Sequence, residues 1–274
     1  MKIALFLDVD KTLTKDFIQT VFAHELGVQD HYEKLEEDFQ KGLVSSARFG
    51  AELVKLFASK NFTKAQADRL FDRVVLRDYV YDLFALQKKG VAIYLVSSGP
   101  NYYIDSLAVR NGIPSDRTLC STYNFDGGII SGCSAVDAAR KTRFVSDAAD
   151  LYDVTIGIGD NHLHDAFVQV CTIAMLTTAQ GGAAEGFIHV AQFNSVHLLI
   201  DNLLKGRDES AAHDGVLSTG DFQGRVNVRT AVQRISVGLW LLFGSSLVAA
   251  FGAGYGFHSY LPLGKPTATQ SSSP

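Results

Sequence analysis

Three short apolar runs each stop on a polar residue able to do chemistry: Ile3–Leu7 before Asp8, Val91–Val96 before Ser97, and Thr155–Gly159 before Asp160. Runs of five or six apolar residues without helical spacing read as strands buried on both faces. Helical periodicity fills the intervals: a helix from about Asn101 to Asn111 closes at Gly112, and another covers 136–150. A further strand over Cys171–Leu176 is expected after a helix around 164–170. Strands alternating with helices argue for an α/β chain with a doubly wound parallel sheet covered on both faces. Such sheets bind ligands beyond the carboxyl ends of their strands, where Asp8, Ser97 and Asp160 all fall.

One interval departs from this rhythm. From about Phe17 to Tyr81 apolar residues such as Phe17, Val21 and Phe22, then Leu53, Val54 and Phe57, recur at helical spacing between charged faces. This predicts a helical insertion over 15–81, leaving 1–14 and 82–205 as the core. Lys88-Lys89-Gly90 is a basic last turn and glycine stop before the second strand. Asn124-Phe125-Asp126-Gly127-Gly128-Ile129-Ile130 carries the Asp-Gly signal of a hairpin.

The 274 residues, 47% hydrophobic and 20% charged, hold enough apolar material for one sizeable core and a small accessory domain. A formal charge of −4 gives no general attraction to polyanions, so nucleic acid is not an expected partner. Cys120, Cys133 and Cys171 are odd in number and widely spaced, as expected of free thiols in a reducing compartment. The apolar start before Asp8 is too short for a secretory segment.

Residues 206–234 are polar, glycine-containing and mixed in charge, as a linker would be. Between Arg234 and Lys265 lie 30 residues with no formal charge, and 235–257 is a candidate transmembrane or membrane-associated helix, with 258–274 as a tail. Trp240 near one end and Tyr255 and Tyr260 near the other suit an aromatic belt. Arg225, Arg229 and Arg234 precede the stretch, a bias that would leave the large domain in the cytoplasm. An amphipathic or buried helix of the soluble part is the other reading.

Asp8-Val9-Asp10-Lys11-Thr12-Leu13-Thr14 follows the first strand directly. Carboxylates two apart on a strand share a face but stand well apart along it. A turn immediately after Asp8 would let both converge on one cation, the first as ligand and nucleophile, the second as acid and base. An Asx turn capping a helix is the plainer alternative. Ser97-Ser98-Gly99 after the second strand can hold an oxyanion through a hydroxyl and loop amides, although a serine there is equally a common helix cap. Lys141, between Arg140 and Arg143, would alone read as a solvated charge. Gly159-Asp160-Asn161-His162-Leu163-His164-Asp165 closes the set.

Taken together over residues 1–205, these four motifs resemble the haloacid dehalogenase superfamily of aspartyl-phosphate phosphatases, in the phosphoserine phosphatase-like branch. The resemblance implies hydrolysis of a small phosphomonoester with Mg²⁺ as cofactor. It implies Asp8 as nucleophile, Asp10 as general acid and base, and Lys141 as the cation that offsets their charge. Metal binding would fall to Asp8, the Asp10 carbonyl and Asp160, with Asp165 supporting. Thr12, Ser97 or Ser98, Gly99 and Asn161 would contact phosphate or substrate. His162 and His164 invite a zinc reading, but hard carboxylates all around suit magnesium better.

The helical insertion stands where this branch carries a cap that governs substrate choice. Phosphoserine phosphatases bind the substrate amino group with an acidic residue shortly after the first motif, and its carboxylate with a cap arginine. Phe17 stands at the first place beside Asp16, and Gly50 at the second with Arg48 nearby. This points away from phosphoserine and toward a phosphomonoester with an apolar or choline-like part near Phe17. A phosphotransferase on the same fold and a non-enzymatic, membrane-tethered interaction protein are the rival readings.

Overall fold

The computed structural model describes residues 1–161, 164–177, 187–190, 193–205 and 222–224. The chain begins with strand β1 (Ile3–Leu7) and then four helices, α1 (Ile18–Glu25), α2 (Gln29–Gln40), α3 (Ser46–Ala58) and α4 (Lys64–Leu70). After α5 (Val80–Ala85) it alternates through β2 (Ala92–Pro100), α6 (Asn101–Arg110), β3 (Thr118–Asp126), β4 (Ile129–Ser134), α7 (Ala138–Ala149) and β5 (Val154–Gly159). β6 (Ile173–Leu176), β7 (Ile188–Val190), α8 (Phe193–Lys205) and β8 (Phe222–Gly224) follow.

The eight strands among the described residues form one sheet in the order β4-β3-β2-β1-β5-β6-β7-β8. The sheet is mixed, which corrects the expectation of a wholly parallel one: β3–β4 and β7–β8, the pairs at its two edges, are antiparallel. The reason at one edge is the two-residue turn Gly127-Gly128, both at positive φ, which can only return the chain antiparallel. β8 lies within the segment expected to be a linker.

β1 sits between β2 and β5, with Leu5 opposite Ile93 on one side and Ile156 on the other. All five of its residues are buried, as a central parallel strand requires. Ile3, Leu5, Leu7 and Val9 face one hydrophobic layer. Ala4 and Phe6 face the other, which includes Val145 of α7 and Phe167 of a 3₁₀ turn. That 3₁₀ turn spans Ala166–Val170, where an α-helix around 164–170 was expected.

The inserted helices share the first layer with the sheet: Phe22, Leu53, Phe57 and Phe62 belong to the same cluster as Leu5 and Ile93. Phe62 links them physically. Its ring meets Phe22 and Phe57 at 5.6 and 5.3 Å, and Tyr102 of α6 and Phe125 of β3 at 5.7 and 6.2 Å. The insertion joins the core through a short two-stranded crossing, where Thr14 pairs with Leu76 and Arg77 N–H donates to Leu13 O at 2.8 Å.

The candidate membrane helix over 235–257 and the tail 258–274 lie outside the described residues. Among the described residues no helix is long and apolar enough to cross a membrane.

Candidate active site

Asp8 is the first residue beyond β1, level with the end of β5, and its N–H donates to Ile158 O at 2.9 Å. The chain then leaves the sheet: Leu13 and Thr14 both donate to Val9 O, and Lys11 adopts φ 57°. This immediate turn frees the second carboxylate from strand alternation. Asp10 instead accepts from Ile18 N–H at 2.6 Å, at the start of α1.

Lys141 projects from the first turn of α7, a helix capped by Asp137, and is 2% exposed. Its ammonium donates to Asp8 Oδ1 at 2.8 Å and Asp165 Oδ1 at 2.7 Å. Burial alone would lower its pKa, but the charges of Asp165 and Asp8 outweigh that and hold the ammonium protonated. The solvated-charge reading of this lysine is therefore set aside.

Asp165 accepts with its other oxygen from the backbone N–H of Asp160 and Asn161, at 3.1 and 3.2 Å. This explains Gly159: a Cβ there would lie 2.6 Å from Asp165 Oδ2. Asp8, Asp160 and Asp165 each bring a carboxylate oxygen within 4.8 Å of the others. Such an all-oxygen set at the end of a sheet fits a hard divalent cation of the magnesium type. Asp165 serves one ammonium and two amides with its two oxygens, and Asp8 accepts from the same ammonium.

Without a cation this cluster resists ionisation. Burial raises Asp8 well above the usual carboxylate range, Asp165 and Asp160 add to this, and Lys141 acts against it. Burial pushes Asp160 and Asp10 each up to about 7.

On β2 the pairing with β3 shifts register between Val96 and Pro100, so Ser97, Ser98 and Gly99 form a bulge. Bulges re-aim groups beside functional sites. Ser97 Oγ accepts from Gly99 N–H at 2.8 Å, while Ser98 O accepts from Ser121 Oγ at 2.7 Å. Gly99 is required for space, because a Cβ there would overlap the Asp10 carboxylate.

Asp8, Asp10, Ser97, Ser98, Gly99, Asp160, Asn161 and Asp165 all line one cleft, whose empty space is about 610 Å³ including its open mouth. Lys141 lies just behind that lining, against Asp8. Thr12 is not on the cleft surface; its Oγ1 is buried without a hydrogen-bond partner among the described residues. His162 lies outside the described residues.

Sequence reasoning missed the facing wall. Glu36, Phe39 and Gln40 of α2, Phe49 of α3 and Tyr123 of β3 line the cleft with Phe17. Asn161 Nδ2 donates to Gln40 Oε1 at 3.0 Å, and His164 stacks on Phe39 at 4.7 Å, so the insertion touches the fourth motif directly. The signal was the four-residue spacing of Tyr32, Glu36 and Gln40 on one face of α2. Gly50, by contrast, packs on Cys133, and Arg48 is exposed and off the cleft.

Known proteins share the fold and parts of the sequence. A phosphoserine phosphatase of Archaeoglobus fulgidus is 27% identical over 149 residues, 53% of this chain and 42% of that protein. The chain therefore matches less than half of that relative's length. Among solved structures, a HAD family hydrolase of Salmonella enterica serovar Typhi superposes with a TM-score of 0.58 at 18% identity, covering 65% of this chain and 63% of that one. A phosphoserine phosphatase solved as a phospho-aspartyl intermediate analogue gives 0.56 at 17% identity, covering 64% and 86%. The family model for haloacid dehalogenase-like hydrolases matches residues 5–166, more than half of the sequence and all four motifs, and the chain belongs to that family.

Proposed function

We propose that this protein hydrolyses a small phosphomonoester through a covalent phospho-aspartate on Asp8, with Mg²⁺ as cofactor. The observation that carries the reading is the buried Asp8 carboxylate held 2.8 Å from the Lys141 ammonium, with Asp160 and Asp165 converging on it. A carboxylate kept in line by a fixed cation is a competent nucleophile toward phosphorus. The relatives named as phosphoserine phosphatases support the same reaction class.

Asp8 attacks phosphorus and forms the acyl phosphate while the bond to the leaving alcohol breaks. Asp10, whose carboxyl burial pushes up to about 7, is shared between its protonated and ionised forms at neutral pH, and its protonated form gives the proton to the leaving alkoxide oxygen. The same carboxylate then takes a proton from the water that hydrolyses the acyl phosphate. Lys141 offsets the charge of Asp8, and Asp165 keeps Lys141 in place. The Ser97–Gly99 bulge offers a hydroxyl and amides to the phosphoryl oxygens, with Ser97 preferred because its hydroxyl lines the cleft and is fixed by the Gly99 N–H it accepts from. Magnesium, held by Asp8 and Asp160 with the Asp10 carbonyl, would neutralise the repulsion between nucleophile and phosphate.

The inserted helices act as the cap that selects substrate and excludes water. A phosphoserine carboxylate would need a cationic partner, and no Lys or Arg side chain lines the cleft among the described residues. Phosphoserine is therefore not the preferred substrate. The test is a panel of phosphomonoesters assayed with and without Mg²⁺, using Asp8→Asn as the blank. Mg²⁺-dependent turnover that vanishes in the variant is expected; equal turnover by Asp8→Asn would refute the proposal.

A further inference from the structure

The cleft wall facing the phosphoryl site holds a carboxylate that hydrolysis does not use. Glu36 is 8% exposed yet lines the cleft. Its Oε2 accepts from Tyr32 Oη at 2.9 Å and its Oε1 from Gln40 Nε2 at 2.7 Å. Each oxygen retains a second acceptor position. Both donors are neutral, and Glu36 forms no salt bridge with any described residue; Lys11 influences it only from a position over the Phe17 ring, 4.3 Å from its centre. A buried carboxylate without a cation is costly, and a ligand that brings one relieves that cost.

The surroundings define what that ligand is. Phe17, Phe39 and Phe49 line the same cleft as an apolar wall around Glu36; Phe39 packs on Phe49 and His164, and Lys11 lies over Phe17, so the carboxylate rather than a ring face supplies the attraction for a cation. Glu36 lines the cleft from α2 of the insertion, while Asp8, Ser97 and Asp160 line it from the strand ends. With the phosphoryl group held at the strand ends, Glu36 faces the rest of the substrate. No Lys or Arg lines the cleft among the described residues, so the lining offers a substrate carboxylate neutral donors but no cation.

We infer that Glu36 receives the cationic end of the leaving alcohol, so the preferred substrates are phosphate monoesters of amino alcohols that carry no carboxylate. This rests on the phosphatase reading and deepens it. Glu36 is a specificity-determining residue, and Tyr32 and Gln40 position it.

The experiment compares kcat/KM for 2-aminoethyl phosphate and for propyl phosphate, its uncharged isostere, in the full chain with Mg²⁺. A charged hydrogen bond predicts that the native protein prefers the amino ester on the order of 10–100-fold. Glu36→Gln keeps a partner for Tyr32 and Gln40 but removes the charge, and should bring the ratio of the two constants close to one, mainly through KM for the amino ester. Glu36→Asp should retain part of the preference, which a merely structural role would not predict. A native ratio near one, or a ratio unchanged in Glu36→Gln, would overturn the inference while leaving the phosphatase reading intact. If Glu36→Gln fails to fold, the native ratio decides alone. Turnover of neither ester while another phosphomonoester is hydrolysed with Mg²⁺ would overturn the inference alone; turnover of no phosphomonoester, or turnover surviving Asp8→Asn, would overturn both.

Discussion

Asp8 and Asp10 stand two residues apart yet answer to different neighbours, and the proposed roles follow that difference. Asp8 faces the Lys141 ammonium, whereas Asp10 accepts from a backbone N–H of α1 and lines the cleft. Asp10→Asn should therefore leave metal binding largely intact and lower kcat by roughly 10²–10⁴-fold, the usual worth of general acid–base catalysis. Steady-state rates on a phosphomonoester check this; undiminished kcat would contradict the role. Asp160 makes a second residue-scale prediction. Its carboxyl rises from 3.8 to about 7 on folding, so within that window the folded metal-free protein keeps a proton that the unfolded chain has released. Stability contributed in this way is complete below the unfolded value and is lost as pH rises through the folded one. Melting of the metal-free protein should thus fall between pH 4 and 7, and Asp160→Asn should flatten that fall. Parallel melting profiles for variant and native protein would show that Asp160 does not titrate as argued.

At the scale of elements, the site depends on three strand ends and the bulge beside them. Gly99→Ala places a methyl group against the Asp10 carboxylate, with Ser97 Oγ and the core residue Ile104 close on its other sides. The variant should melt at a lower temperature yet still fold, and should lose turnover on the order of 10²-fold through misplacement of the acid. Normal kinetics would mean the bulge is not a positioning device. The strand ends were legible in sequence because a buried parallel strand is an unbroken apolar run, so Asp8, Ser97 and Asp160 stand out where each run stops. Lys141 was legible only through the family pattern, since a lysine on a helix carries no sign that folding will bury it between two aspartates. The bulge was hidden because it depends on the register of β3, which local sequence does not encode. The cleft wall was hidden too: Tyr32, Glu36 and Gln40 share a helical face, but Glu33, Lys34, Glu37 and Asp38 make α2 read as solvated all round. β7 and β8, of three residues each, are too short to leave a periodic signal.

On the scale of the whole molecule, the inserted helices and the sheet behave as one body because they share a hydrophobic layer. Phe62 is fully buried among rings from both parts. Phe62→Ala should cost about 3–5 kcal/mol, the range for a large core aromatic, and unfolding by calorimetry should remain a single transition. Two separated transitions would show that the insertion is an independent unit. A continuous core also limits how the cleft can open. Movement is more easily taken up at the contacts of Gln40 with Asn161 and Phe39 with His164 than within the shared layer.

In the proposed reaction a carboxylate of the protein bonds to phosphorus. Each in-line displacement inverts phosphorus, so two displacements through Asp8 restore the original configuration, whereas direct attack by water inverts it once. The decisive measurement is hydrolysis of a phosphorothioate monoester made chiral with two oxygen isotopes, run in water of the third isotope with Mg²⁺. Net retention in the product is the predicted result; net inversion would contradict it.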